Sequence, residues 1–300
     1  MNINRVTSIY YSPTGTSGKI AEAVAEAFAA SMNGDNSIRQ ISSAAGSPLE
    51  TDVLDITLGG RRLQVNDSFA VIAAPVYGGR VAPTAAERIR MLKSEGSPCA
   101  VVAVYGNRDY DDALLELADL CRECGFLPLA AASFIGEHSY STEEFPIAQE
   151  RPDSLDLEKC AMFGSQLAAV CEELQQRLSQ AGQDEKSVIM AELKPDIKGN
   201  RPYREYKPSP ATPQTDINRC VLCGRCIDMC PVGCIEMKTF GNEEGLEEDM
   251  AIESDPAICT KCCACVKGCP FGARIFNTPY SEMLHRNCSA RKEPQWSMAL

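Results

Sequence analysis

The sequence predicts an α/β chain: a doubly wound, five-stranded parallel sheet, followed by a smaller α+β part rich in cysteine. Three observations carry this. Short apolar runs alternate with helical patterns through the first 181 residues, as expected of parallel strands joined by crossover helices. The turns after the first, third and fourth runs are unusual in Gly, Pro or hydroxyl content, and such sheets bind ligands beyond those strand ends. Eight cysteines then fall in two matching runs between Cys220 and Cys269.

The elements follow in order. Residues 5–11 (RVTSIYY) read as a short apolar strand. The turn Ser12-Pro13-Thr14-Gly15-Thr16-Ser17-Gly18 leads into a helix with Ile20, Val24, Ala27 and Phe28 on one face. A hydroxyl-rich turn at a helix start makes an anion site, because free N–H groups and the helix dipole point at the ligand. It is not a Walker loop: Pro13 stands where Gly is needed, and Ile20 follows Lys19. A second strand is expected between residues 31 and 66, in the apolar pieces at 38–41 and 53–58. Residues 69–74 (FAVIAA) read as a central strand covered on both faces, ending in Pro75-Val76-Tyr77-Gly78-Gly79-Arg80. A helix to about Leu92 follows, then a buried strand at 100–105 that ends in Gly106-Asn107-Arg108-Asp109-Tyr110. A helix over 112–124, a fifth strand over 127–134 and a long helix over 154–180 complete this part. The last helix aligns Cys160, Phe163, Leu167, Val170, Cys171 and Leu174 on one stripe.

The cysteine runs are Cys220-x2-Cys223-x2-Cys226-x3-Cys230-Pro231 and Cys259-x2-Cys262-x2-Cys265-x3-Cys269-Pro270. This is the established spacing of two-cluster bacterial ferredoxins, in which the fourth cysteine of each run ligates the other [4Fe-4S] cube. Cluster one then uses Cys220, Cys223, Cys226 and Cys269, and cluster two uses Cys259, Cys262, Cys265 and Cys230. Zinc is the competing reading, but it gives the third cysteine of each run and the Cys-Pro no place. Cys234 and Cys263 sit beside ligands but off the spacing.

Composition sets the limits. The 300 residues are 44% hydrophobic, enough for a core, and no apolar run reaches membrane-spanning length. The net charge of -12 argues against a nucleic-acid partner. Residues 216–280 hold ten acids and six bases, and each oxidised cluster adds about -2, so a redox partner with a basic docking face is expected. The opening MNINRVTSIYYS has no apolar signal segment, which points to a cytoplasmic chain with reduced thiols.

With these residues in view, the first 181 residues resemble a flavodoxin. The whole chain resembles the fused flavodoxin–ferredoxin proteins found widely in anaerobic bacteria and archaea. SPTGTS, APVYGGRVAP, YGNRDYDDALLELAD and GEHSYSTEE carry the resemblance. It implies strand order 2-1-3-4-5 and FMN as cofactor. The phosphate would rest on Ser12, Thr14, Gly15, Thr16 and Ser17. The ring would lie between Pro75, Val76, Tyr77, Gly78 and Gly79 on one side and Tyr105, Gly106, Asn107, Asp109 and Tyr110 on the other. The implied organisation is a flavodoxin-like domain at 1–181, a linker at 182–215, a two-cluster domain at 216–280 and a tail at 281–300.

Tyr77 and Tyr110 are ring stackers or half-buried tyrosines at strand ends, and Asp109 bonds the ring edge or starts a helix. Gly78 or Gly79 permits a backbone flip beside the ring, and Arg80 or Arg108 would favour a reduced, anionic flavin. Cys121-x2-Cys124 falls inside a helix and reads as packing, not a redox dithiol. His138 faces a substrate or caps a loop. The expected function is electron transfer between two [4Fe-4S] clusters and FMN, with no nicotinamide fingerprint present. Two alternatives stand beside it: an FMN-dependent reductase of a small organic acceptor, fed by the clusters, and a non-redox zinc module.

Overall fold

The structure is a computed structural model that describes residues 3–34, 48–207, 211–241 and 248–299. In chain order, β1 (Arg5–Tyr10), α1 (Thr16–Met32), β2 (Glu50–Asp55), β3 (Leu63–Gln64) and β4 (Ser68–Tyr77) open the fold. Then come β5 (Arg80–Val81), α2 (Pro83–Ile89), β6 (Leu92–Lys93), β7 (Pro98–Tyr105), α3 (Ala113–Glu123), β8 (Leu127–Ile135) and α4 (Ser154–Gln180). The parallel strands run β8-β7-β4-β1-β2, which is the order 2-1-3-4-5. This is the flavodoxin arrangement, with its switch point between β1 and β4.

Both faces of the sheet are covered. Phe28 of α1 and Phe163 and Leu167 of α4 pack on one face with Phe69 and Val71. Ile89 of α2 and Leu114 and Leu117 of α3 pack on the other with Ile9, Ile72 and Val101. Cover on both sides is why β4 and β7 read as unbroken apolar runs. The second strand lies at Glu50–Asp55, earlier than the expected 53–58; the piece at 38–41 falls outside the described residues. As an edge strand with mostly exposed residues, β2 has no apolar pattern to mark it. Likewise α2 stops at Ile89, and Leu92 instead joins β6, which pairs with β3.

The stretch 182–215, expected as a linker, begins with α5 (Gln183–Glu192) and continues as a strap along α3. Lys198 Nζ bonds both oxygens of Asp109 at 2.8 and 3.0 Å. Asn200 N–H and Arg204 N–H donate to the two oxygens of Asp112 at 2.8 and 2.7 Å. Arg201 grips Asp119 with two bonds of 2.8 and 2.7 Å.

The cysteine-rich part comprises β9 (Gln214–Thr215), α6 (Arg225–Asp228), β10 (Ile235–Gly241), β11 (Glu248–Ser254), α7 (Ala264–Lys267) and β12 (Arg274–Ile275). β10 pairs with β11 and β9 with β12, both antiparallel. The residues expected as a tail are ordered: α8 (Tyr280–Asn287) and β13 (Gln295–Met298). β13 adds antiparallel to β8 and covers that sheet edge. Its Trp296 stacks on Phe134 at 6.4 Å and donates to Gln166 Oε1 at 2.7 Å.

Candidate flavin and cluster sites

A cavity of about 460 Å³ opens at the carboxyl ends of the parallel strands. Ser12, Thr14, Thr16 and Ser17 line one end, at the start of α1. Gly15 sits at the helix cap with φ +84°, a conformation glycine takes without strain. Ser12 Oγ accepts from Gly18 N–H at 2.9 Å and closes the turn. Ser17 Oγ is buried with no hydrogen-bond partner among the described residues. An orphaned hydroxyl at a helix N-terminus, among free N–H groups, fits an anionic group such as a phosphate.

The rest of the cavity is walled by Pro75, Val76, Tyr77, Gly78, Tyr105 and Gly106, and then by residues 136–140. Gly106 has no room for a Cβ, because the His138 ring would lie 2.2 Å from it. His138 Nδ1 accepts from Tyr140 N–H at 3.0 Å, which leaves its proton on Nε2. Burial, then the cations Lys267 and Arg108, push the His138 imidazole down to about 4. A depressed value makes the neutral form part of the folded state's stability, present above the ordinary 6.5 and lost as pH falls toward 4. Denaturation followed by the fluorescence of Trp296, the sole tryptophan, should show up to about 3 kcal/mol less stability near pH 4 than near pH 7 from this group. A His138→Gln chain should lose that part of the pH dependence; an unchanged profile counts against it.

Four of the expected ring contacts do not line the cavity: Gly79, Asn107, Asp109 and Tyr110. Asn107 is turned away and donates to Cys288 O and Ala290 O at 2.6 and 2.8 Å, holding the end of α8. Asp109 is taken by Lys198, and Tyr110 lies under that lysine and edge-on to Tyr105. Arg80 is also turned away, gripping Glu116 of α3 at 2.8 and 2.7 Å, whereas Arg108 does line the cavity. Tyr77 remains at the wall, joined by Tyr140, Tyr206 and Tyr280 from three distant segments. Cys121 and Cys124 are buried and packed, with burial pushing the Cys121 thiol well up and that of Cys124 to about 11.

The cysteines gather as two separate sets. Cys220, Cys223, Cys226 and Cys269 line one small pocket; Cys230, Cys259, Cys262 and Cys265 line another. The two loops share one backbone shape: Leu222 and Gly224 in the first, Lys261 and Cys263 in the second, all have φ between +55° and +74°. Cys234 N–H points at Cys230 Sγ (3.4 Å), and Ala273 N–H at Cys269 Sγ (3.3 Å), at the same offset in each run. Main-chain donors aimed at thiolate sulfur suit an anionic cluster. Arg274, nearly fully buried, lines the first pocket and reaches Cys265 Sγ of the second at 3.8 Å.

The two halves meet at the cavity. Thr260, between Cys259 and Cys262, lines both the cavity and the second cysteine pocket. Lys267 Nζ ties the cluster half to Glu137 Oε1 (2.6 Å) on the cavity wall and to Ser141 O (2.8 Å) just beyond it. Arg88 Nη2 donates to Pro231 O at 2.5 Å, beside Cys230.

Residues 219–273 match the family model of the 4Fe-4S dicluster domain, which replaces the zinc alternative. No curated protein matches the sequence. Among solved structures, a flavodoxin from the domain Archaea aligns at 14% identity over 55% of this chain and 96% of its own, with a TM-score of 0.32. A flavodoxin of Streptococcus pneumonia TIGR4 aligns at 18% over 55% and 97%, with a TM-score of 0.35. Rubredoxin oxygen:oxidoreductase of Desulfovibrio gigas aligns at 14% over 58% and 37%, with a TM-score of 0.37. Among the described residues no helix is long and apolar enough to cross a membrane. The chain therefore joins a doubly wound α/β half, with the strand order of flavodoxins, to a 4Fe-4S dicluster domain at residues 219–273.

Proposed function

We propose that this chain is an electron-transfer protein that exchanges electrons between its two [4Fe-4S] clusters and an FMN held in the cavity. The observation that carries it is Thr260, which belongs at once to the cavity wall and to the pocket of cluster two. A flavin supplies two-electron chemistry that can also proceed one electron at a time, whereas each cluster carries one electron. The chain's residues supply placement. Ser12, Thr14, Gly15, Thr16 and Ser17 would hold the phosphate at the α1 terminus, and Tyr77 and His138 would flank the ring. The exposed Cys223 loop of cluster one, in an acidic domain, suits a partner with a basic docking face.

A specific observation also favours the reductase reading. The cavity is concave, walled by Gly136–Tyr140 as well as by the strap, and Lys207 and Lys261 line it together with Arg108 and Arg204, which both pair with Asp111. The cationic part of that wall suits a small anionic acceptor beside the flavin. One experiment tests the main reading. Anaerobically purified protein should contain iron and one flavin, and reduction of its clusters by a one-electron donor should bleach the flavin. A fully loaded protein whose flavin stays oxidised while its clusters are reduced would overturn it. Turnover with a screened organic acid, lost in Arg204→Ala at unchanged flavin content, would move the assignment to the reductase.

A further inference from the structure

Two buried hydroxyls, Tyr11 Oη and Thr260 Oγ1, have no hydrogen-bond partner among the described residues. They come from opposite halves of the chain. Tyr11 is fully buried at the end of β1, next to the turn at Ser12. Thr260 lies between two ligands of cluster two. Tyr11 lies against Thr84 and Thr260, and Tyr11 and Thr260 both lie against Cys262. Arg88 fixes the tyrosine: its guanidinium lies 5.6 Å from the ring centroid and donates to Ile56 O on one side and to Pro231 O on the other.

A buried hydroxyl without an acceptor is costly, and hydroxyls that meet only one another still leave an O–H to place. Cluster sulfur is such an acceptor, and it carries the negative charge of the thiolates and sulfides. We propose that Tyr11 and Thr260 donate hydrogen bonds to the sulfur of cluster two, so that the cavity-bearing half of the chain sets that cluster's potential. Hydrogen bonds to sulfur, and the nearby charge of Arg88, favour the more negative reduced form and raise the potential. At the first cysteine set Val221, which is exposed, stands in the place of Thr260, and the buried donor that lines that pocket is Arg274. The claim for cluster two rests on the dicluster assignment alone.

Redox titration of the anaerobically prepared full-length protein, with each cluster read by electron paramagnetic resonance, tests this. Tyr11→Phe and, separately, Thr260→Val should each make one cluster harder to reduce by about tenfold, about 59 mV for a one-electron couple, and leave the other unmoved. The Fe–S stretching bands should lose part of their shift in D2O in both variants. Tyr10→Phe, whose hydroxyl bonds Glu22 at 2.6 Å, should change neither midpoint. Unmoved midpoints and wild-type D2O shifts in iron-replete Tyr11→Phe and Thr260→Val proteins would overturn the proposal. Because the readout is iron's alone, a preparation without flavin, which would sink the FMN reading, still decides this one.

Discussion

Arg151→Ala is expected to cost about 3–5 kcal/mol of stability, because it strips the partner from a fully buried carboxylate. The side chains of Arg151 and Asp156 are 5% and 0% exposed. Arg151 Nε donates to Asp156 Oδ2 at 2.8 Å and Nη2 to Oδ1 at 2.5 Å, a fork that only a guanidinium makes. Asp156 also accepts from Asp153 N–H at 3.0 Å in the capping box that starts α4. The third arm of Arg151 donates to Lys292 O at 2.8 Å, and Arg291 grips Asp153 beside it. One buried pair thus fastens the cavity loop, the helix start and the segment that leads into β13. Arg291 Nη2, 3.6 Å from Asp156, offers partial compensation, which places the loss toward the lower end of the range. Denaturant titration should give the loss, and hydrogen exchange should show it first in residues 288–299. Arg151→Lys should recover little, since one ammonium does not replace the fork. A variant within about 0.5 kcal/mol of wild type would mean that the pair is not buried as described.

How much of this was legible beforehand depended on whether each signal was local. The cysteine spacing and the covered strands β4 and β7 are written in consecutive residues, and both were readable. The turn at 12–18 was readable for the same reason: its Gly15 conformation and helix start are local. What stayed open were positions decided by distant partners. Asp109 and Tyr110 sit in a loop that looks made for a ring, yet Lys198, almost ninety positions along, takes both. Asn107 has the right place at a strand end, yet the backbone after α8 claims its side chain. The strap and β13 carry no pattern of their own; Gln295–Met298 becomes a strand only because the edge of β8 is open to it. One signal was available: the run KGNRPYR, with three cations, matches the acids of DYDD and Asp119. The aromatic wall of Tyr140, Tyr206 and Tyr280 had no such marker, since it exists only where three segments converge.

The largest change in cofactor content should come from single cysteines, and it separates crosswise ligation from the simpler alternative that each run binds its own cube. The pockets divide the runs crosswise: Cys230 faces Cys259, Cys262 and Cys265, while Cys269 faces Cys220, Cys223 and Cys226. The short helices account for this. α6 and α7 each carry the chain from the third cysteine to the fourth, past the loop that would close around the first cube. Cys230→Ala should therefore remove the same cluster as Cys265→Ala, and Cys269→Ala the same one as Cys226→Ala. In each case iron should fall from about eight to about four atoms per chain. The consequences for the cavity should differ. Loss of cluster two empties the pocket that shares Thr260 with the cavity wall, so reduction of the proposed flavin through the iron should fail even though one cluster survives. Loss of cluster one leaves that contact intact, so a small one-electron donor should still reach the flavin, whereas a docking protein should not. If Cys230→Ala instead leaves the same residual iron spectrum as Cys226→Ala, each run binds its own cube. The contact at Thr260 would then report on a different set of thiolates from the one assigned.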